Sequence, residues 1–341
     1  MQLISSEIEL EDRLSEPTDQ AIETLRKFPG DILLLGVAGK MGPSLACMAK
    51  RASELGGGRR RVIGVARFSD PRAEAELHQN GIETLRGNLL DESFIARLPE
   101  APLIIYLAGM KFGATGNEPA TWAMNCHLPS LICRRFPTSR IVAFSTGNVY
   151  GLVPVASGGS REIDVPSPVG EYAMSCLGRE RIFEHFSRTQ RTPIALIRLN
   201  YACDLRYGVL VDLAWRIWRG EPIDLAMGYF NTIWQRDANA MTLCALAHAA
   251  SPPWIVNVTG PERLSVRETC ERLAAKLERP ISFVGWEAEA ALLSNAARCI
   301  ETFGPPSVNA TELIDLVAAW IKSGGRQLGK PTHFESRDGR F

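Results

Sequence analysis

Six short apolar runs recur along the chain at helix-length intervals: ILLLG at 32–36, RVIGVA at 61–66, LIIYLAG at 103–109, RIVAFST at 140–146, IALIRL at 194–199 and WIVNV at 254–258. A strand that is apolar at nearly every position has no face to offer water, so it belongs in a sheet covered on both sides. Helices between such strands are the crossovers that do the covering, and crossovers join parallel strands. The pattern therefore predicts a doubly wound α/β domain. With 341 residues, the chain is long enough to bury a core of that size.

The rhythm breaks over 200–253, and 260–341 reads as mostly helical, with Pro- and Gly-containing turns such as TGPERLS and FGPPS. These pieces are expected to form a smaller, mostly helical C-terminal lobe over one end of the sheet, on the substrate side. Three parts follow: a helical extension over 1–30, a sheet domain over 31–200 plus about 237–260, and the lobe over 201–236 plus 261–341. Ile22, Leu25 and Phe28 give the extension one apolar stripe, with no chemistry visible in it. Trp215, Trp218 and Trp234 read as lobe core. The terminal KPTHFESRDGRF is polar and expected to fray.

Lys and Arg number 38, as do Asp and Glu, so the net charge is zero. A nucleic-acid or anionic-membrane partner would need a basic excess that is missing here, and a small molecule is the expected partner. The eight cysteines form no C-x-x-C pair and no cluster of metal-ligand spacing, so free thiols and no metal are expected. The acidic start MQLISSEIELEDRLSEPTDQ is not a secretory signal, and no run approaches the ~20 apolar residues of a membrane span. A soluble, cytoplasmic protein is expected.

The first run leads into GVAGKMG and then the helical MGPSLACMAKRASEL. Gly36, Gly39 and Gly42, with Lys40 and Met41 between them, stand where a pyrophosphate meets a helix N-terminus. Gly36 permits the tight turn, Gly39 lets backbone approach the phosphates, and Gly42 lets the helix pack on the sheet. This predicts a Rossmann-type dinucleotide site. The second run ends GVARFSD, with Ala66 where an NAD binder presents an acid and Arg67 just after it. A guanidinium suits a 2′-phosphate, so Arg67, with Lys40 as a second cation, favours NADP and leaves NAD possible. A solvated loop residue is the plainer alternative for Arg67. Asn88 and Leu89, in GNLLD, are expected at the adenine.

These motifs, followed in order by YLAGMKFG, Asn125, FSTGNVYG, the segment from Tyr172 to Glu180, IRLN and VNVTGPERLSV, span about residues 31–275. Together they resemble the extended short-chain dehydrogenase/reductase family, in its NAD-dependent epimerase/dehydratase group that includes sugar-nucleotide epimerases. The resemblance implies that Leu107, Ala108, Gly109, Lys111 and Asn125 approach the cofactor. It implies that Thr146 holds the reacting oxygen of the substrate and that Tyr172 is the acid/base phenol. Asn148 and Asn200 would face the substrate. Arg206 and Arg236, in the irregular region, suit a diphosphate or carboxylate there, or equally surface ion pairs.

One position departs from the family pattern. A lysine is expected one helical turn after the tyrosine, and this chain has Cys176. A cation there lowers the pKa of the phenol, which titrates near ~10 when unperturbed. Three readings stay open: Cys176 as a small packing residue beside weakened or lost proton chemistry, Lys111 as a substitute cation, or Cys176 as a nucleophile without an evident activating partner. The function implied is an NAD(P)-dependent epimerase/dehydratase or oxidoreductase acting on a hydroxyl or carbonyl carbon of a sugar or sugar-nucleotide-like substrate. The alternative is a catalytically silent cofactor-binding sensor or scaffold. The amphipathic EYAMSCLGRERIFEHF is suited to a homodimer interface.

Overall fold

The six apolar runs become six of the seven strands of one parallel sheet in the computed structural model, which describes residues 3–111 and 113–340. In chain order these are β1 (Ile32–Leu35), β2 (Val62–Ala66), β3 (Glu83–Arg86), β4 (Leu103–Tyr106), β5 (Arg140–Thr146), β6 (Ile194–Leu199) and β7 (Trp254–Val258). Their order across the sheet is β3-β2-β1-β4-β5-β6-β7. β3, the short strand before GNLLD, lies at an edge, and its charged ends blunt that edge against pairing with another chain. The order reverses between β1 and β4, where Leu35 stands level with both Val65 and Tyr106. Connections leave the two strands in opposite directions at that point and open a crevice at their carboxyl ends.

The helices are α1 (Glu7–Leu14), α2 (Asp19–Lys27), α3 (Gly42–Leu55), α4 (Pro71–Gln79), α5 (Glu92–Ala96), α6 (Glu118–Trp122), α7 (Leu128–Arg135), α8 (Gly170–Gln190), α9 (Val209–Trp218), α10 (Gln235–Cys244), α11 (Val266–Leu277), α12 (Ala297–Phe303) and α13 (Ala310–Lys322). Strand residues alternate between the two faces of the sheet. Ile32 and Leu34 meet α3 and α10 through Leu45, Met48 and Met241, while Leu33 and Leu35 share the opposite core with Ile132 of α7 and Phe183 of α8. A third core joins α9, α11 and α13 in the lobe, and Trp215, Trp218 and Trp234 belong to it.

The N-terminal extension is two helices with two destinations. Ser6 and Thr18 cap them by accepting from Glu9 and Ala21 amides. Leu10 and Leu14 of α1 are buried in the lobe core, whereas Ala21 and Leu25 of α2 are buried in the sheet core. Each fully buried leucine contributes about 1.5–3 kcal/mol, so the extension is fastened to both bodies.

The C-terminal end does not fray as expected. Thr332 is buried and donates from its amide and hydroxyl to Asp212, Phe334 is buried against Phe230, and Glu335 pairs with Arg216 at 2.7 Å. Long-range partners hold a polar segment that has no periodic signal of its own. Among the described residues no helix is long and apolar enough to cross a membrane, no group of side chains could hold a metal ion, and all eight cysteines are free thiols.

Candidate functional site

A cavity of about 560 Å³ lies over the carboxyl ends of β1, β4 and β5, between the sheet and the lobe. Its floor begins at the glycine turn. Gly36 has φ +89°, and a Cβ there would meet the Ala108 amide nitrogen at 2.7 Å, so glycine lets the end of β1 close on the end of β4. A Cβ on Gly42 would overlap the Val37 carbonyl, which explains glycine at the start of α3. Gly39 lines the cavity, and a Cβ on it would touch only the Gly36 carbonyl oxygen, at 3.4 Å. No side chain caps α3, and the first amides of a helix have no partner within it. Gly42 donates to the Gly39 carbonyl at 3.2 Å and Pro43 has no N–H, so it is the positive end of the α3 dipole, beside an open glycine turn, that fits a diphosphate.

Lys40 and Met41 also line the cavity. The Lys40 ammonium stands 3.1 Å from the centre of the Tyr207 ring. Burial, then the nearby charges of Lys111 and Lys330, push its pKa down to about 6; the ring face opposes this by favouring the cation. An anion among these lysines would relieve their mutual repulsion.

Thr146 ends β5, and its hydroxyl oxygen accepts from the Asn148 amide at 3.2 Å and the Asn148 side chain at 2.9 Å. Tyr172, in the first turn of α8, places its phenol within hydrogen-bonding reach of both Thr146 and the Cys176 thiol. Desolvation, then the neighbouring Cys176, pushes the phenol pKa well above its ordinary value. Cys176 is fully buried among Val149, Tyr150 and Leu177, and burial raises its thiol pKa too. That favours a packing role over a nucleophile. Lys111 lies over the Tyr172 ring, 5.7 Å from its centre, and donates to the Thr332 carbonyl at 3.2 Å. Burial lowers its pKa to about 8.

Arg179 is a cavity residue that the sequence reading passed over. It lies seven residues after Tyr172 and three after Cys176, on the same helix face, and long helical side chains lean back toward the N-terminus. Its guanidinium donates to the Phe144 carbonyl at 2.9 Å and to the Asn125 side-chain oxygen. A Cβ on Gly109 would overlap this guanidinium, so that glycine makes room for Arg179. Asn125 is fully buried and also ties the Met110 backbone to Ser175, which places it behind the cavity wall. Behind Thr146, Ser145 donates to Glu180 at 2.5 Å, and Glu180 pairs with Arg198 at 2.7 Å.

Leu107, Gly109, Lys111, Asn148 and Asn200 line the cavity, and the Asn200 side-chain nitrogen is buried there without a partner among the described residues. Other expected residues are placed elsewhere. Ala108 packs beneath Gly36, Arg67 is exposed on the turn after β2, Asn88 is exposed and accepts from the Leu90 amide, and Leu89 is buried beside β2. None of these four lines the cavity. Arg206 does, but Asp204 and Glu11 hold it, both at 2.6 Å. Arg236 is outside, fastened to the Glu16 carbonyl, Asp237 and Ser307. Both arginines thus bind carboxylates of this chain, because α1 and its following turn come to them. Glu11 of α1 and the segment containing Arg326, Leu328, Lys330 and Thr332 complete the wall. Nothing in their local sequence marks them for it.

A parallel sheet with a glycine turn at its switch point and a Thr/Tyr pair over its carboxyl ends defines a Rossmann-type α/β protein. The family model described as NAD dependent epimerase/dehydratase family matches residues 32–202, and the chain belongs to that family. No curated protein matches it in sequence. Solved structures share the fold at low identity. MoeE5 in complex with UDP-glucose and NAD is 18% identical, with TM-score 0.70 over 86% of this chain and 99% of that one. UDP-glucose 4-epimerase from Thermotoga maritima is 17% identical, with the same score and coverage. The dTDP-glucose 4,6-dehydratase DesIV from Streptomyces venezuelae, with NAD and TYD bound, is 18% identical, with TM-score 0.72 over 86% and 97%.

Proposed function

We propose that the chain is an NAD(P)-dependent epimerase/dehydratase or oxidoreductase acting on a hydroxyl or carbonyl carbon of a sugar or sugar-nucleotide-like substrate. The observation that carries this reading is the Thr146–Tyr172 pair, held in one cavity with the glycine turn. Gly36, Gly39, Gly42 and the first turn of α3 would hold the dinucleotide, whose nicotinamide accepts and returns hydride when bound. Thr146 donates to the reacting oxygen of the substrate, and Tyr172 takes or returns the proton of that oxygen. Asn200 offers its spare donor to a second substrate hydroxyl. Lys111 and Lys330, joined by Lys40 once an anion has raised its pKa, give the cavity a positive field suited to a diphosphate or carboxylate. The volume suits one ligand of this kind, since such sites run about 300–1,000 Å³.

Either dinucleotide is compatible with the end of β2, where Ala66 leaves no carboxylate to repel a 2′-phosphate. The test is binding of NADH and NADPH by fluorescence, then cofactor-dependent turnover of UDP-glucose, UDP-glucuronate and free sugars. Turnover is expected, and Tyr172→Phe should lower it about 10²–10⁴-fold, the usual contribution of a positioned proton donor. Cysteine at 176 favours a second reading, a cofactor-binding protein without turnover. Binding with no turnover of any substrate would establish that reading instead.

A further inference from the structure

Arg179 is buried to 5% exposure, yet among the described residues no carboxylate pairs with it. Its partners are a carbonyl and an amide oxygen, both neutral. Its Nε, buried as well, has no acceptor at all among the described residues. Burying a guanidinium without a counter-charge costs several kcal/mol, which the face of the Tyr106 ring, 5.7 Å away, offsets only in part. The nearest acid along α8, Glu180, is already engaged by Arg198. What this cation does face is the cavity, with Tyr172 and Cys176 on its own helix face.

Three other features converge on the same place. Cys176 puts a short thiol, packed by Val149, Tyr150 and Leu177, one turn after Tyr172, so Arg179 is the first cation along α8 after the phenol. Gly109 has no Cβ where one would overlap the guanidinium. Asn125, fixed at both ends by Met110 and Ser175, turns its oxygen to the guanidinium and holds it beside the end of β5. A phenol used as a proton acceptor in a desolvated place needs a fixed positive charge nearby. Lys111 serves this poorly, because its ammonium is engaged by the Thr332 carbonyl and loses its charge near pH 8.

We propose that Arg179 is the cation of this active site, reaching the cavity wall from one turn beyond Cys176 on α8, to donate to the nicotinamide ribose and to favour the ionised form of Tyr172. The assignment rests on the cofactor reading above. A guanidinium stays charged at every working pH, so it cannot relay a proton; it orients and polarises only. Proton exchange with solvent then falls to the phenol and water in the cavity.

The probe is NADH, followed by fluorescence titration, with circular dichroism and thermal melts as the check on folding. Arg179→Gln keeps donors for Phe144 and Asn125 but removes the charge, and should weaken NADH about 10- to 100-fold, the loss expected for a hydrogen bond from a charged donor. At pH 6, Arg179→Lys should stay within about fivefold of the wild type, and its affinity should fall away by pH 9, because a buried ammonium gives up its proton where a guanidinium does not. In the double variant Cys176→Lys/Arg179→Gln the cation returns one turn earlier, and NADH affinity at pH 6 should recover to the same range. A purely structural arginine would not be rescued by a lysine at another position. Wild-type affinity in Arg179→Gln, or a folded double variant as weak as Arg179→Gln, would overturn the assignment. Failure of the wild type to bind NADH or NADPH would instead remove the cofactor reading, and this inference with it.

Discussion

Glu180 and Arg198 meet at 2.7 Å with side chains only 2% and 3% exposed, and the consequence of separating them can be worked from their contacts. Glu180 accepts from Arg198 at 2.9 and 2.7 Å and from Ser145 at 2.5 Å. Glu180→Leu removes the carboxylate that accepts all three bonds and leaves a buried guanidinium with the Tyr150 hydroxyl at 2.6 Å and the Glu162 carbonyl at 3.5 Å. A charge stranded in this way costs about 3–5 kcal/mol, a large part of the ~5–15 kcal/mol that holds a typical domain. Arg198→Met strands the carboxylate and should cost a similar amount. The double variant strands no charge, so it should lie closer to the wild type than either single variant. Urea denaturation followed by tryptophan fluorescence gives the three values and their coupling. Losses below about 1 kcal/mol in both single variants, or a double variant as damaged as their sum, would refute the assignment of an isolated buried pair. Because Ser145 precedes Thr146, the single variants should also lower turnover.

Three further outcomes follow from the site. Lys40 sits at about 6 and Lys111 at about 8, so near pH 7.5 the first is mostly neutral; an entering diphosphate raises both pKa values and draws protons in. NADH affinity should therefore fall as pH rises from 6 to 9, and calorimetry in buffers of different ionisation enthalpy should show proton uptake that Lys40→Met reduces; zero uptake would contradict the placement. Asp212→Ala removes the acceptor of two Thr332 hydrogen bonds, worth about 1.5–3 kcal/mol each to a charged group, and should expose residues 323–340 to limited proteolysis; an unchanged digestion pattern would show that other contacts suffice. Cys176 is fully buried with its pKa raised, so iodoacetamide at pH 8 should leave it unlabelled in the native protein and label it after denaturation, as read by mass spectrometry.

By itself the sequence determined what depends on neighbours in the chain. The apolar runs announced their strands because a strand covered on both faces must be apolar throughout, and IALIRL and WIVNV match β6 and β7 residue for residue. Gly36 and Gly42 announced the turn because a Cβ there would collide with Ala108 and Val37, while Gly39 keeps the loop open to the cavity. Thr146 and Tyr172 were legible through the order of motifs that the family shares. Only the tertiary structure decided which cations reach the cavity. Arg206 and Arg236 read equally as substrate ligands or ion-pair partners until α1 and the turn after it brought Glu11 and Glu16 to them. Arg179 read as one more polar residue of an amphipathic helix, although its spacing of seven from Tyr172 was open to view. The polar C-terminal segment joined the cavity wall through Asp212, more than a hundred residues away in sequence. Periodicity reports which way a side chain faces on its own element. What stands opposite is set by how distant elements pack, and that decides whether a charge is a surface ornament, half of an ion pair or part of a site.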